Sequence, residues 1–203
     1  MAHHTLKSGY DRMVERLNRF PQGAPPSVLL QRILRELVSE REAELIAGLP
    51  IKPFSAAKAA RIWRMDPAEA RAVLDELASR AMLVDMPGKR GVRYALPPPM
   101  AGFFEFSLMR VRDDLDQKLL SELYYQYLNV EEDFIKALFT EGETQLGRVF
   151  VHEPVLTSED ALHVLDHERA SEVVRGAKHM GVGLCYCRHK MQHLGRACDA
   201  PLD

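Results

Sequence analysis

Residues 54–96 read FSAAKAARIWRMDPAEARAVLDELASRAMLVDMPGKRGVRYAL, and this stretch decides the fold class. Ser55 precedes the run Ala56 to Trp63, which predicts a short capped helix. Arg64-Met65-Asp66-Pro67 reads as a turn. Asp66 can cap there, and Pro67 fills the first helical position, where its missing N–H costs nothing. Ala68 to Ala81 carries Ala70, Val73, Leu74 and Leu77 at helical spacing and predicts a second helix. Met82–Met86 and Gly91–Leu96 then flank Pro87-Gly88-Lys89-Arg90, which predicts a hairpin with a basic tip. Short helix, turn, helix and hairpin in this order form the pattern of a winged helix-turn-helix. The fold class expected is mainly α with a small β-hairpin (α+β).

Upstream, Leu6, Tyr10, Met13, Val14 and Leu17 lie on one stripe and predict a helix over 6–20. Phe20-Pro21-Gln22-Gly23-Ala24-Pro25-Pro26 ends it. Ser27 suits the N-cap of a helix running to about Ala47, with Leu29, Leu30, Ile33, Leu34, Leu37 and Val38 inward. Downstream, Pro97-Pro98-Pro99 marks a boundary. Residues 101–147 carry ten Asp/Glu against four Lys/Arg, and 103–139 hold eight of the chain's 15 aromatics. Two helices are expected there, about 103–128 and 131–140, broken by Gly142 and Gly147. The aromatics read most simply as core, with a homodimer interface as the alternative. Arg148 to Val151 suggests a short strand stopped by Pro154, Asp160 to Val164 a helical turn, and His167 to Met180 a helix with Ala170, Val173, Val174 and Ala177 as its stripe. The expected organisation is an N-terminal helix and linker (1–26), a winged-helix domain (27–98), a helical connector (99–147) and a C-terminal metal-binding part (148–203).

With 203 residues, 46% apolar and 28% charged, the chain can bury a core. Its formal charge of −2 supplies no strong field toward nucleic acid or an anionic membrane. No apolar run is long enough to cross a bilayer, and the N-terminus lacks a signal-peptide core. A cytoplasmic protein with no membrane partner is expected.

The last 19 residues carry all three cysteines, Cys185, Cys187 and Cys198. Three crowded thiols are no disulfide framework and point to metal or redox chemistry. Soft thiolates suit iron–sulfur clusters, zinc or copper(I). Arg188, Lys190 and Arg196 lie among them. Positive neighbours favour thiolate and offset the charge of a thiolate-ligated cluster. Gly195 allows a tight chain path, and Pro201 echoes the proline that often follows ferredoxin cysteines. The bland alternative makes the cysteines small buried hydrophobes. A tetrahedral zinc site from the three cysteines and a histidine is a further alternative. His189 and His193, four apart, could share a helix face and are read as side chains behind the ligands or in solvent. His152, His163, His167 and His179 show no ligand spacing. A 4Fe-4S cluster normally takes four thiolates. The fourth ligand could be His189, His193, a small molecule or a residue beyond Asp203, and the last is preferred.

Gly183-Leu184-Cys185-Tyr186-Cys187-Arg188-His189-Lys190, followed by His193-Leu194-Gly195-Arg196-Ala197-Cys198-Asp199-Ala200-Pro201, resembles a motif of bacterial 4Fe-4S ferredoxin-like proteins with an N-terminal winged-helix region. Glu168 to Val174 and Phe20 to Pro25 are similar to that family as well, so the resemblance spans most of the chain. It implies that Cys185, Cys187 and Cys198 are cluster ligands, that residues 148–203 begin an iron–sulfur domain, and that the role is electron transfer to an unidentified redox partner. Relatives continue with a fourth cysteine, so the chain is expected to be truncated before it. The fragment alone is expected to lack the cluster and to leave its cysteine tail loosely packed or disulfide-paired.

Two further functions compete. In a redox-sensing regulator, helix 68–81 and the tip at Lys89-Arg90 would contact DNA, with Lys58, Arg61, Arg64 and Arg93 assisting. Glu69, Asp75 and Glu76 against Arg71 and Arg80 oppose phosphate binding, so DNA is not the favoured partner. The other is a zinc-stabilised interaction protein. Trp63 is expected to anchor the core between the two short helices. Ser158-Glu159-Asp160 and Asp113-Asp114 read as a helix start and a solvated face, and no phosphate loop or dinucleotide fingerprint occurs. Enzymatic activity is not expected.

Overall fold

The computed structural model describes residues 7–20, 22–89, 91–139 and 167–196. Among them are ten helices and one three-stranded antiparallel sheet. The expected strand at 148–151, the helical turn at 160–164, Arg90, Cys198 and Pro201 lie outside the described residues.

Helix α1 (Gly9–Leu17) begins at Ser8, whose hydroxyl accepts from the Asp11 N–H while the Asp11 carboxylate accepts from the Ser8 N–H. The single helix expected over 27–47 is instead two, α2 (Val28–Leu37) and α3 (Glu40–Ala47). Val38 is extended, and Ser39 and Glu42 form a second reciprocal cap, with bonds of 3.3 and 2.8 Å. That cap outcompetes helix continuation because it satisfies N–H groups that a helix start leaves unpaired. The corner lays α3 on α1, and the Tyr10 hydroxyl donates to the freed Val38 carbonyl at 3.0 Å. The helices approach so closely that a Cβ at Gly9 would meet the Glu40 carbonyl oxygen at 2.7 Å.

Strand β1 (Phe54–Ser55) runs into α4 (Ala56–Trp63); α5 (Pro67–Ser79) follows, capped by Asp66 as the sequence predicts. Strands β2 (Val84–Met86) and β3 (Arg93–Ala95) form the expected hairpin, and β1 adds to its other edge in the order β1-β3-β2. Phe54 lies opposite Tyr94 with ring centroids 6.3 Å apart, and this buried pair fastens the strand that sequence periodicity does not reveal. The Tyr94 hydroxyl donates to Asp75 on α5.

The helix expected over 103–128 is also interrupted. A turn over Pro99–Phe103 leads into α6 (Phe104–Phe106), residues 107–116 are irregular, and α7 (Gln117–Tyr125) starts at the Asp116 cap. Gln117 holds this loop. Its buried amide donates to the Ser107 and Arg110 carbonyls and accepts from the Arg112 N–H, all within 3.1 Å. A π turn (Gln126–Val130) extends α7, and α8 is Glu132–Phe139. Phe103, Phe104, Tyr124, Tyr127 and Phe134 are buried in one ring cluster, as a core reading requires, while Phe139 is exposed.

Contacts divide the chain into two units, residues 1–146 with 184–203, and residues 147–183. The first has a continuous core from Tyr10 in α1 to Tyr186 near the C-terminus. In the second, α9 (His167–Gly176) stops short of Met180, and Val173 and Val174 of its expected stripe are exposed.

Candidate functional site

Residues 186–193 form α10, which the cysteine spacing alone does not announce. Just before it, the Leu184 N–H donates to the Met109 carbonyl at 2.7 Å, tying the segment to the irregular loop. Cys185 is the N-cap and Cys187 lies in the first turn; both thiols are free and exposed. The reading of these two as buried hydrophobes therefore fails. A helix start presents unpaired N–H groups and a partial positive charge, which suits a negatively charged cofactor.

Between the thiols, Tyr186 turns inward and is buried, with its ring centroid 6.3 Å from that of Tyr124 on α7. Burial pushes its hydroxyl well above the usual tyrosine range. One turn on, Lys190 is only 6% exposed; its Nζ donates to Asn129 Oδ1 at 3.0 Å and lies 5.2 Å from the Tyr186 ring centroid. Burial lowers the Lys190 pKa, while negative charge at Cys187 and Glu105 works in the opposite direction. The segment over 184–196 is thus seated on α7, and a loosely packed tail is not what the structure shows there.

The two histidines do share a helix face. His189 Nδ1 lies 2.7 Å from the Leu108 carbonyl oxygen, and the two Nε2 atoms are 3.0 Å apart. Because a carbonyl only accepts, neutral His189 carries its proton on Nδ1 and accepts at Nε2 from His193. Burial, then His189, lowers the His193 pKa. Arg196 stacks on Tyr125 at 4.9 Å and donates to its hydroxyl at 2.7 Å, which commits it to α7. Arg188 is half-buried.

Exposed cysteine sulfurs outside any disulfide are donors of the kind that iron–sulfur and zinc sites use. Among the described residues, no group of three or more His, Cys, Asp or Glu side chains is placed to hold a metal. Cys198, the third expected ligand, is outside them. The proposed DNA-contacting residues Lys58, Arg61, Arg64, Lys89 and Arg93 are exposed. On α5, however, Arg71 is paired with Asp75, and at its C-cap Arg80 is paired with Glu42 and Glu76. No described helix is long and apolar enough to cross a membrane.

Comparison with known protein families, with curated proteins and with solved structures finds no match for this chain.

Proposed function

We propose that this chain serves in a cytoplasmic electron-transfer protein of the 4Fe-4S ferredoxin-like kind. Its sheet and helices α3 to α5 act as a winged helix that serves as scaffold. The observation that carries the proposal is the pair of exposed thiols at the start of α10, held by a buried tyrosine between them.

Cys185, Cys187 and Cys198 would hold the cluster, which when bound stores and releases one electron at a time. The protein's own residues fix the site and set its field. Tyr186 and the Leu184 N–H anchor the ligand loop on α7 and residue Met109. Lys190 places a buried positive charge behind Cys187, where it favours added negative charge. The carbonyl bond from His189 holds the middle of α10, and the Arg196 contact with Tyr125 holds the chain just beyond its C-terminal end.

Expression of the complete open reading frame without oxygen tests this. The expected product is brown, with the visible charge-transfer absorbance of thiolate-bound iron. Cys185→Ser and Cys187→Ser should each remove most of that absorbance while the helical circular-dichroism signal persists. A folded, colourless product, or a chain carrying one zinc and no sulfide, would overturn the reading.

A further inference from the structure

A groove of about 490 Å³ lies far along the sequence from the cysteines, between α1, α3 and the end of α4. Four arginines line it, Arg12, Arg16, Arg19 and Arg41, against two glutamates, Glu15 and Glu44. Leu45, Ile62 and Trp63 add an apolar wall.

Arg16 is the unusual member. It is 1% exposed and, among the described residues, forms no ion pair with a carboxylate. Its Nε donates to the Leu49 carbonyl at 2.8 Å and its Nη2 to the Pro50 carbonyl at 2.7 Å, while Nη1 is buried with no hydrogen-bond partner among the described residues. The ring of Phe20 covers it, with the guanidinium carbon 4.9 Å from the centroid. Burial and the nearby Arg19 lower its pKa to about 10, which still leaves it charged at neutral pH. A buried cation held by two carbonyls and a ring face, without a counter-ion, is costly, and proteins normally supply one. Glu44 does not serve, because it is bonded to Arg12 at 2.7 Å and lies 3.6 Å from Arg41. Glu15 is bonded to Lys7. Arg12, Arg19 and Arg41 are exposed at the groove, where Arg12 and Arg41 share the single carboxylate of Glu44.

We propose that this groove binds the phosphate group of a small phosphomonoester, with its organic part against Trp63 and Ile62. Arginine forks match the geometry of phosphate oxygens, and several of them together favour a dianion over a single carboxylate. The two glutamates repel longer polyanions, which limits the occupant to a small molecule. The inference stands independently of the cluster.

Trp63 is the chain's only tryptophan, so its fluorescence reports on the groove directly. The test is titration of the full chain at low salt with phenyl phosphate, inorganic phosphate and phenol. Phenyl phosphate should give a saturable change, inorganic phosphate should compete with it at higher concentration, and phenol should be inert. The exposed substitutions Arg19→Ser and Arg41→Ser should each weaken phenyl phosphate binding about tenfold, as loss of one charge-assisted fork implies, with an unchanged circular-dichroism spectrum. Raising the salt should weaken it further. No saturable change with phenyl phosphate, or binding that both variants leave intact, would overturn the proposal, as would phenol binding as tightly as phenyl phosphate.

Discussion

Lys190 is where single-residue chemistry bears most directly on the proposed role. In sequence this lysine reads as a positive charge beside the thiols, and the structure buries it on Tyr186 with its ammonium on Asn129. Its long apolar stem fills space that methionine could also fill, and burying its ammonium carries a desolvation cost. Lys190→Met should therefore leave denaturant stability equal to or above that of the parent, while shifting the potential of the cluster-loaded protein to more negative values. A potential that does not move would remove Lys190 from any electrostatic role. Asp114 offers a pH test. Its bond from Arg112 holds the carboxyl down to about 2, with Arg80 adding a smaller effect. The folded value lies below the unfolded one of about 4, so the contribution is complete above that and is lost as pH falls toward about 2. Asp114 is half-exposed, so solvent screening limits the effect to about 1 kcal/mol or less. Asp114→Asn should flatten the acid limb of a pH–stability curve by that amount; an unaltered limb would contradict it.

At the scale of elements, the corner between α2 and α3 shows how a short local signal overrides a longer one. Leu37 and Val38 continue the apolar spacing of α2, so periodicity predicts a single helix. Ser39-x-x-Glu42 is nevertheless the signature of a capping box, and the structure obeys it. Ser39→Ala should cost about 1 kcal/mol in chemical denaturation, because it removes the cap from a partly exposed helix start. A change near zero would mean that packing of α3 on α1 alone fixes the corner. The same logic explains the break before α7, where Gln117 serves three backbone groups that no periodicity announces. Helices α4 and α5 and the hairpin were legible because their caps, Pro67 and the turn residues agree with their apolar spacing. Strand β1 was not, being two residues long and held by the Phe54–Tyr94 pair across the chain.

Across the whole molecule, one core reaches from α1 to the helix that carries the thiols, so the cysteine segment rests on a folded base in the unit it shares with residues 1–146. The cysteine pattern itself was readable from spacing and its basic neighbours. What spacing could not tell was which neighbours point outward: Tyr186 and Lys190 turn into the core, and Arg196 turns to Tyr125. Nor could it reveal Arg16, whose burial depends on the Leu49 and Pro50 carbonyls more than thirty residues away. The most direct test of the account is the iron and acid-labile sulfide content per chain of the complete, anaerobically purified protein, measured beside its Cys198→Ser variant. Iron and sulfide in equal amounts, falling sharply in the variant, is the result expected. A well-folded parent containing neither would contradict the account.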